Sequence, residues 1–543
     1  MKLDLSRLID DGFKHCAELS KLAESFKLLP ELVVEKNSKL KPDKLIHGDN
    51  LLTSIALKQE NQKFQLIYID PPYASNSNYN LKLRVGETNQ KIKIPVYSDF
   101  WRKGLQSYLS MLFPRLYFMR NLLNDEGAIF VHVDTKASHY VKVLMDCIFG
   151  AESFVNEIIY RKDAGQRVRN YFPRKHDVIL FYAKNIEKLK FNLHSPLLRT
   201  DYNDIAVKMH FKPDKNQRLM RKYPSGKLFY KDLGKLFDDI WDDISTQQAS
   251  SPIMSETTGF ETQKPAALLE RIISAVTDSK ETYHEKLALD KFMINKKQHE
   301  SDYQKQSAKK QEMLLHNWTN EFFLDAKAEW LDKTKKAKIP CADTVADFFA
   351  GSGTTGVTAH QLKRSFVLCE VDRTAWFVAL KRILQSPKIN LQCLRATKKS
   401  SKQNRLNAKK IQIVDAPERL DSEHQRQKVK SQTIIAPVTV KLIKKKYEQR
   451  LKLEIPEEIN KQLTELPKHI NVKHEGEFLF DFCMLQLSNT ENIFAASESF
   501  TLNKINDNEY QILETFSSRK FENASLRVFD IFGNIYFTDQ VIK

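Results

Sequence analysis

The sequence predicts a doubly wound, Rossmann-like α/β fold with an inserted segment and a small β-rich domain behind it. Strand-like apolar runs alternate with helix-period segments from residue 44 to 149, and the same rhythm returns from 344 to 384. Each half also holds a strand that stops abruptly in a motif suited to chemistry: FQLIYID (64–70) runs into Pro71-Pro72, and TVADF (344–348) runs into a glycine-rich turn.

Along the chain, residues 3–29 place apolar side chains at helical spacing and Pro30 closes them off, giving an N-terminal helical segment within 1–43. A strand at 44–47 leads through Gly48-Asp49-Asn50 to a helix at 51–58 and on to the strand 64–70. A double proline cannot continue a central strand, so Asp70 stands where strand gives way to loop. A helix at 108–123, a buried strand at 128–134 (AIFVHVD), a helix at 139–149 and a strand at 177–183 follow, an alternation that predicts a parallel sheet. Short polar and aromatic stretches reach to about 243. A helix at 264–276 and a polar, helical insertion over 281–341 come next. The α/β pattern then resumes with the glycine turn, a helix to about 362, a strand at 365–370 and a helix at 375–384. Residues 395–410 carry seven basic residues and no acid and read as a linker. From 432 onward, apolar runs separated by turn signals predict the β-rich domain.

Composition narrows the function classes. The 543 residues include 86 Lys plus Arg against 68 Asp plus Glu, a formal charge of +18, which points to two or three domains and a polyanionic partner. No apolar stretch approaches the roughly 20 residues needed to span a bilayer, and the N-terminus has no secretory h-region, so a cytoplasmic protein without a membrane partner is expected. Six scattered cysteines form no CxxC or Cys/His cluster, which argues for free thiols and no metal site. No GxxxxGK[ST] loop is present to hydrolyse ATP.

Three motifs carry chemistry. Phe349-Ala350-Gly351-Ser352-Gly353-Thr354-Thr355-Gly356 follows a strand and opens a helix, with glycines for a tight turn and close backbone approach. Glu370 and Asp372, at the end of the next strand, stand where a ribose hydroxyl would be held; the pattern alone fits a dinucleotide or another adenosine cofactor. Asp70-Pro71-Pro72-Tyr73 answers a specific problem. An exocyclic amine on a base is a poor nucleophile because its lone pair is delocalised into the ring. If Asp70 Oδ and the Pro71 carbonyl both accept its hydrogens, the nitrogen is drawn toward sp³ geometry and the lone pair is freed. The prolines make those acceptors rigid, and Tyr73 offers a face for a flipped-out base. His47-Gly48-Asp49-Asn50 could present a carboxylate to a cofactor adenine, and reads equally as a helix N-cap.

Taken in order, these motifs resemble the β group of DNA amino-methyltransferases, and more closely the modification subunits of type III restriction systems, over about 44–384. LSMLFPRLYFMRNLL, FVHVD, IFGAESF, HDVILFYAKN and TGFETQKPAALLERII match in sequence order as well. The resemblance implies an S-adenosylmethionine-dependent methyltransferase fold acting on double-stranded DNA at the N6 amine of adenine. It implies Asp70, Pro71, Pro72 and Tyr73 as catalytic residues. Asp49, Asn50, Lys264, Asp347, Phe349, Gly351, Ser352, Gly353, Thr354, Thr355 and Glu370 are implied as cofactor-binding residues. The insertion over 281–341 departs from the family, in which the TQKP helix runs almost directly into the glycine-turn strand.

The expected domains are therefore a catalytic half at 44–185, a target-recognition domain at 186–250, a cofactor half at 251–394, a basic linker at 395–430 and a β-rich domain at 431–543. The basic region begins near 160: residues 160–235 hold 19 Lys or Arg against 7 Asp or Glu, interleaved with Tyr171, Phe172, Tyr202, Phe211, Tyr223, Phe229 and Tyr230. The resemblance also makes a separate restriction subunit, or a homodimer, a plausible partner. Competing readings are cytosine N4 methylation, a non-catalytic DNA-specificity subunit and a nicotinamide-dependent oxidoreductase.

Overall fold

A computed structural model describes residues 3–35, 42–73, 78–84, 91–98, 104–162, 170–193, 195–214, 217–223, 228–245, 258, 263–296, 329, 331–338, 341–386 and 389–398, together with short strands between 412 and 538. The strands of the main sheet are β1 (Phe26–Glu35), β2 (Asp43–His47), β3 (Phe64–Ile69), β4 (Leu123–Asp134), β5 (Phe154–Arg161), β6 (His176–Ala183), β7 (Ile240–Trp241), β8 (Thr344–Asp347), β9 (Ser365–Glu370), β10 (Asn390–Lys398) and β11 (Phe494–Ala496). Their order across the sheet is β7-β5-β6-β4-β3-β8-β9-β2-β10-β1-β11. The stretch from β4 through β3, β8, β9 and β2 to β10 is parallel. β6 runs antiparallel between β4 and β5, and β1 antiparallel to β10, so the sheet is mixed where a parallel one was expected.

The order reverses between β3 and β8. Chain leaving β3 moves outward to β4, whereas chain leaving β8 moves the other way to β9, and the register sets Tyr68 beside Asp347. Open α/β sheets bind ligands at the strand carboxyl ends beside such a reversal. Helices cover both faces. α1 (Leu5–Lys21), α2 (Asn50–Gln59), α3 (Leu105–Leu122) and α4 (Ser138–Phe149) close over Ile67, Ile69, Ile129 and Val131, and α5 (Ala266–Val276), α6 (Thr354–Gln361) and α7 (Arg373–Leu384) over Leu66, Tyr68, Ala128 and Phe130. Because both faces are dry, β3 is buried at all six positions, and this is why its sequence is a continuous apolar run.

Two expectations change. The helix over 3–29 ends at Lys21, and after a short turn at Ala23–Ser25 the chain enters β1; β-branched Val33 and Val34 favour a strand, and Pro30 stands beside a register shift against β10, a place in a sheet that tolerates proline. The linker expected from Arg395 begins later, since β10 continues to Lys398 and pairs Arg395 with both Leu29 and His47. Within the 395–430 linker a further short strand, Gln412–Val414, pairs with Thr433–Pro437 of the C-terminal sheet, so that stretch is sheet and not linker; the remaining linker residues, and most of the 281–341 insertion beyond the helix Lys280–Lys296, lie outside the described residues. Among the described residues, nine strands between Gln412 and Thr538 form a separate sheet.

Candidate active site

β2, β3, β8 and β9 bring their carboxyl ends to one edge of the sheet, and all three motifs meet there. After β8 the chain turns through Gly351 at φ +51° and Gly353 at φ +77°, backbone angles open to glycine. A Cβ on Gly353 would also lie 2.8 Å from Ala379 Cβ of α7, so the residue meets a conformational and a packing requirement together. Asp347 fastens the turn from below: its carboxylate accepts the Phe349 N–H at 2.9 Å and the Thr355 hydroxyl at 2.6 Å. Glu370, at the end of β9, accepts the Gly351 N–H and the Asp372 N–H, each at 2.8 Å. The carboxylate still has acceptor capacity for a ligand hydroxyl. Burial pushes both carboxyls up to about 7; neighbouring Asp70 adds to the rise at Asp347 and Asp372 to that at Glu370. Ser352, Thr354 and Thr355 are buried, and Phe349 packs in part against the core.

Asp70 follows β3 directly, with Pro71 buried and Pro72 and Tyr73 half-buried. Lys264, just ahead of α5, reaches Asp70 Oδ2 at 2.8 Å and donates to the Tyr73 hydroxyl at 2.7 Å. The Tyr73 hydroxyl in turn donates to Asp70 Oδ1. Burial, then the Asp70 charge, pushes the phenol well above its usual range, so it remains a donor. A carboxylate held on both oxygens by fixed donors is a preorganised acceptor.

Asp49 and Asn50 serve the local structure. Asp49 caps α2 by accepting the Leu51 and Leu52 N–H groups at 2.9 and 3.1 Å, and its other oxygen meets buried Arg115 at 3.1 Å. Arg115 Nε donates to Asn50 Oδ1 at 2.5 Å, while Asn50 Nδ2 donates to the Phe348 carbonyl at 2.9 Å. The N-cap reading of Gly-Asp-Asn thus describes what Asp49 does here, and through Asn50 the same cluster ties the β2 end to the glycine turn.

Every sequence-identified site residue lies on this one edge. The motifs missed Arg115, on α3, and a second layer behind Tyr73 consisting of His132, Asp177, Tyr68 and Lys162. The available signal was FVHVD, a histidine in an otherwise apolar strand next to β3. In the basic segment, Tyr171 and Phe172 are exposed, at 61% and 95%. Others build a small core: Phe211 and Tyr230 are buried, Tyr202 packs on Phe211 with centroids 4.7 Å apart, and the Arg218 and Arg221 guanidinium groups lie 4.3 and 4.4 Å from the Tyr230 and Tyr223 rings. Among the described residues no cluster of three His, Cys, Asp or Glu could hold a metal, and no helix is long and apolar enough to cross a membrane.

Comparison with known proteins places this geometry. The type II methyltransferase M.EcaI of Enterobacter cloacae is 31% identical over 173 residues, 32% of this chain and 35% of that protein. The EcoP15I Mod subunit of Escherichia coli, a type III restriction-modification enzyme, is 29% identical over 159 residues, 27% of this chain and 24% of the subunit. The StyLTI Mod subunit of Salmonella typhimurium is 25% identical over 359 residues, 60% of this chain and 52% of the subunit. The chain thus spans between about a quarter and a half of the length of these relatives. A DNA methylase family model covering N6 and N4 enzymes matches residues 64–294 and 294–379, more than half of the sequence, and the chain belongs to this N6/N4 DNA methylase family.

Proposed function

We propose that the protein transfers a methyl group from S-adenosylmethionine to the N6 amine of an adenine flipped out of double-stranded DNA. The observation that carries this reading is the rigid acceptor at Asp70, two residues past the β3 position that pairs beside Asp347, at the reversal of strand order. Asp70 and the Pro71 carbonyl take the amine hydrogens, Pro72 stiffens the loop, and Tyr73 stacks the base. Glu370 receives ribose hydroxyls. Asp347, Phe349, Gly351, Ser352, Gly353, Thr354 and Thr355 form the turn around the rest of the cofactor, with Asp49 and Asn50 as its fixed wall and Lys264 between the cofactor and Asp70.

The residues present fit a cationic adenosine cofactor. Asp70 and Asp347 are close enough for the charge of one to raise the proton affinity of the other, and a positive group between them relieves that repulsion. S-adenosylmethionine, when bound, supplies a methyl on a sulfonium: the nitrogen lone pair forms the C–N bond as the C–S pair returns to sulfur, and the surplus nitrogen proton leaves to water. The chain's own residues orient and stack the base without a covalent step.

The segment 186–250, with the basic residues from 160, is the target-recognition domain in this reading, set between a catalytic half at 44–185 and a cofactor half at 251–394. The names of two relatives, both Mod subunits, support a separate restriction subunit as partner, and residues 431–543 are available for that contact or for a homodimer. The test is direct. Unmethylated genomic DNA incubated with the protein and S-adenosylmethionine, then digested to nucleosides, should yield N6-methyladenine. N4-methylcytosine in its place would overturn the choice of base, and unmodified DNA would overturn the reading.

A further inference from the structure

The hairpin that joins β5 to β6 turns on the same edge of the sheet as the acceptor loop. Ile69 pairs with Val131, which puts Asp70 next to His132 in the register, and Asp134 at the end of β4 pairs with Asp177 at the start of β6. Across the hairpin Arg161 pairs with His176, and the Lys162 N–H donates to the Lys175 carbonyl at 2.7 Å. Side chains fasten this root to the site. Lys162 Nζ meets Asp177 Oδ1 at 2.5 Å, and Asp177 Oδ2 lies 3.2 Å from His132 Nε2. Asn170-Tyr171-Phe172-Pro173-Arg174-Lys175 leads into this root, and all of these residues are exposed. Phe172 stands five residues before Asp177, so it lies no more than about 18 Å of chain from that carboxylate.

A single apolar side chain in water ordinarily calls for no explanation. Phe172 differs in degree and in setting. It is 95% exposed, and no other large apolar side chain among the described residues is as open. Pro173 restricts the Phe172 backbone to extended angles and fixes its own φ, so the ring is offered on a stiff stretch of chain. Its flank is basic: the Arg174 guanidinium lies 5.9 Å from the neighbouring Tyr171 ring, Lys175 follows, and the surrounding segment 160–235 holds 19 Lys or Arg against 7 Asp or Glu. That charge suits the phosphates of a duplex. A base drawn out of a duplex leaves a gap in the stack, and apolar side chains wedge between base steps while aromatic rings stack on any base. We infer that Phe172 enters the duplex where the target base has left it and holds the gap open while the base is at Asp70. The role rests on the methyl-transfer reading. It gives the exposed ring to duplex DNA and not to a partner protein.

The test uses the full chain, tritiated S-adenosylmethionine and unmethylated genomic DNA, whose methylated positions, once sequenced, define a short duplex containing the site. Phe172→Ala should lower single-turnover transfer to that duplex by about 10- to 100-fold while S-adenosylmethionine binding moves by less than about 2-fold. Its thermal midpoint should match that of the unaltered protein, because the side chain buries almost nothing. Phe172→Trp should keep most of the activity, whereas Phe172→Lys, which adds a charge for phosphate and supplies no ring, should not. The decisive substrate is the same duplex with the target base mispaired, which opens at less cost; there the deficit of Phe172→Ala should shrink to about 3-fold or less. An equal deficit on paired and mispaired duplexes would overturn the role. So would rescue by Phe172→Lys, or full activity of Phe172→Ala on the paired duplex, the result expected of a ring that meets a partner protein instead. No transfer by the unaltered protein would count against the methyl-transfer reading itself.

Discussion

Asp347 and Glu370 are acids whose surroundings favour the protonated form, each pushed up to about 7 by burial, and Asp43 shares the shift for the same reason. The folded protein therefore binds these protons more tightly than the unfolded chain does. Their contribution to stability is complete below about pH 4 and is lost as pH rises through about 7. Urea denaturation of the ligand-free protein should show stability falling between pH 5 and 7.5, and Asp347→Asn should flatten that slope; an unchanged slope would contradict the assignment. A cation placed beside Asp347 lowers its proton affinity, so uptake of S-adenosylmethionine near pH 7 should release protons. Calorimetry in two buffers of different ionisation heat would detect this, with a smaller release for S-adenosylhomocysteine, whose sulfur is neutral. Equal heats in both buffers would contradict it. Asp70 and Glu370 were legible in the sequence because a carboxylate at a strand end carries a local signature. His132 and Lys264 were harder to place, since their meaning comes from partners 45 and 191 residues away, Asp177 and Tyr73.

Among the elements, the glycine turn and the cap of α2 carry the most risk. Gly353→Ala combines a left-handed backbone with a Cβ pressed on Ala379, and should cost about 1–3 kcal/mol in urea unfolding at an unchanged denaturant slope. Arg115→Met strands the buried Asp49 carboxylate and should cost about 3–5 kcal/mol, with weaker cofactor binding because Asn50 loses its hold beside the turn. A loss under about 1 kcal/mol would show that Arg115 is dispensable. The alternation of strands and helices was readable because both faces of the sheet are buried and periodicity is strong. β1 was misread because its apolar residues follow α1 with no break in hydrophobicity, and only pairing with β10 makes the segment a strand. Pro30 looked like a helix stop and instead pairs with Leu394 beside a register shift in the strand.

For the molecule as a whole, the excess charge has an address. Residues 160–235, with 19 basic and 7 acidic residues, and 395–410, with seven basic residues and no acid, together carry +19, so the rest of the chain sums to −1 of the formal +18. Replacing Lys and Arg within 160–235 by Gln should weaken DNA binding and lower its salt dependence by about one unit of slope per lost phosphate contact. The same number of replacements on the outer helices of the α/β domain should leave the slope intact; equal effects from both sets would contradict a localised DNA-binding surface. The assembly of the site was legible in the doubly wound pattern, which expects the two motifs at the ends of neighbouring strands: the acceptor loop at Asp70 and the turn at Gly351 are neighbours through the pairing of β3 with β8 across the basic segment and the insertion. The proposed role of Asp70 is to orient an amine for methyl transfer. It is tested most directly by measuring, side by side for the unaltered protein and Asp70→Asn, the binding of S-adenosylmethionine and the transfer of its labelled methyl to unmethylated DNA. Retained binding with transfer lowered by at least about 100-fold is the predicted result. Transfer within a few-fold of the unaltered protein would contradict it.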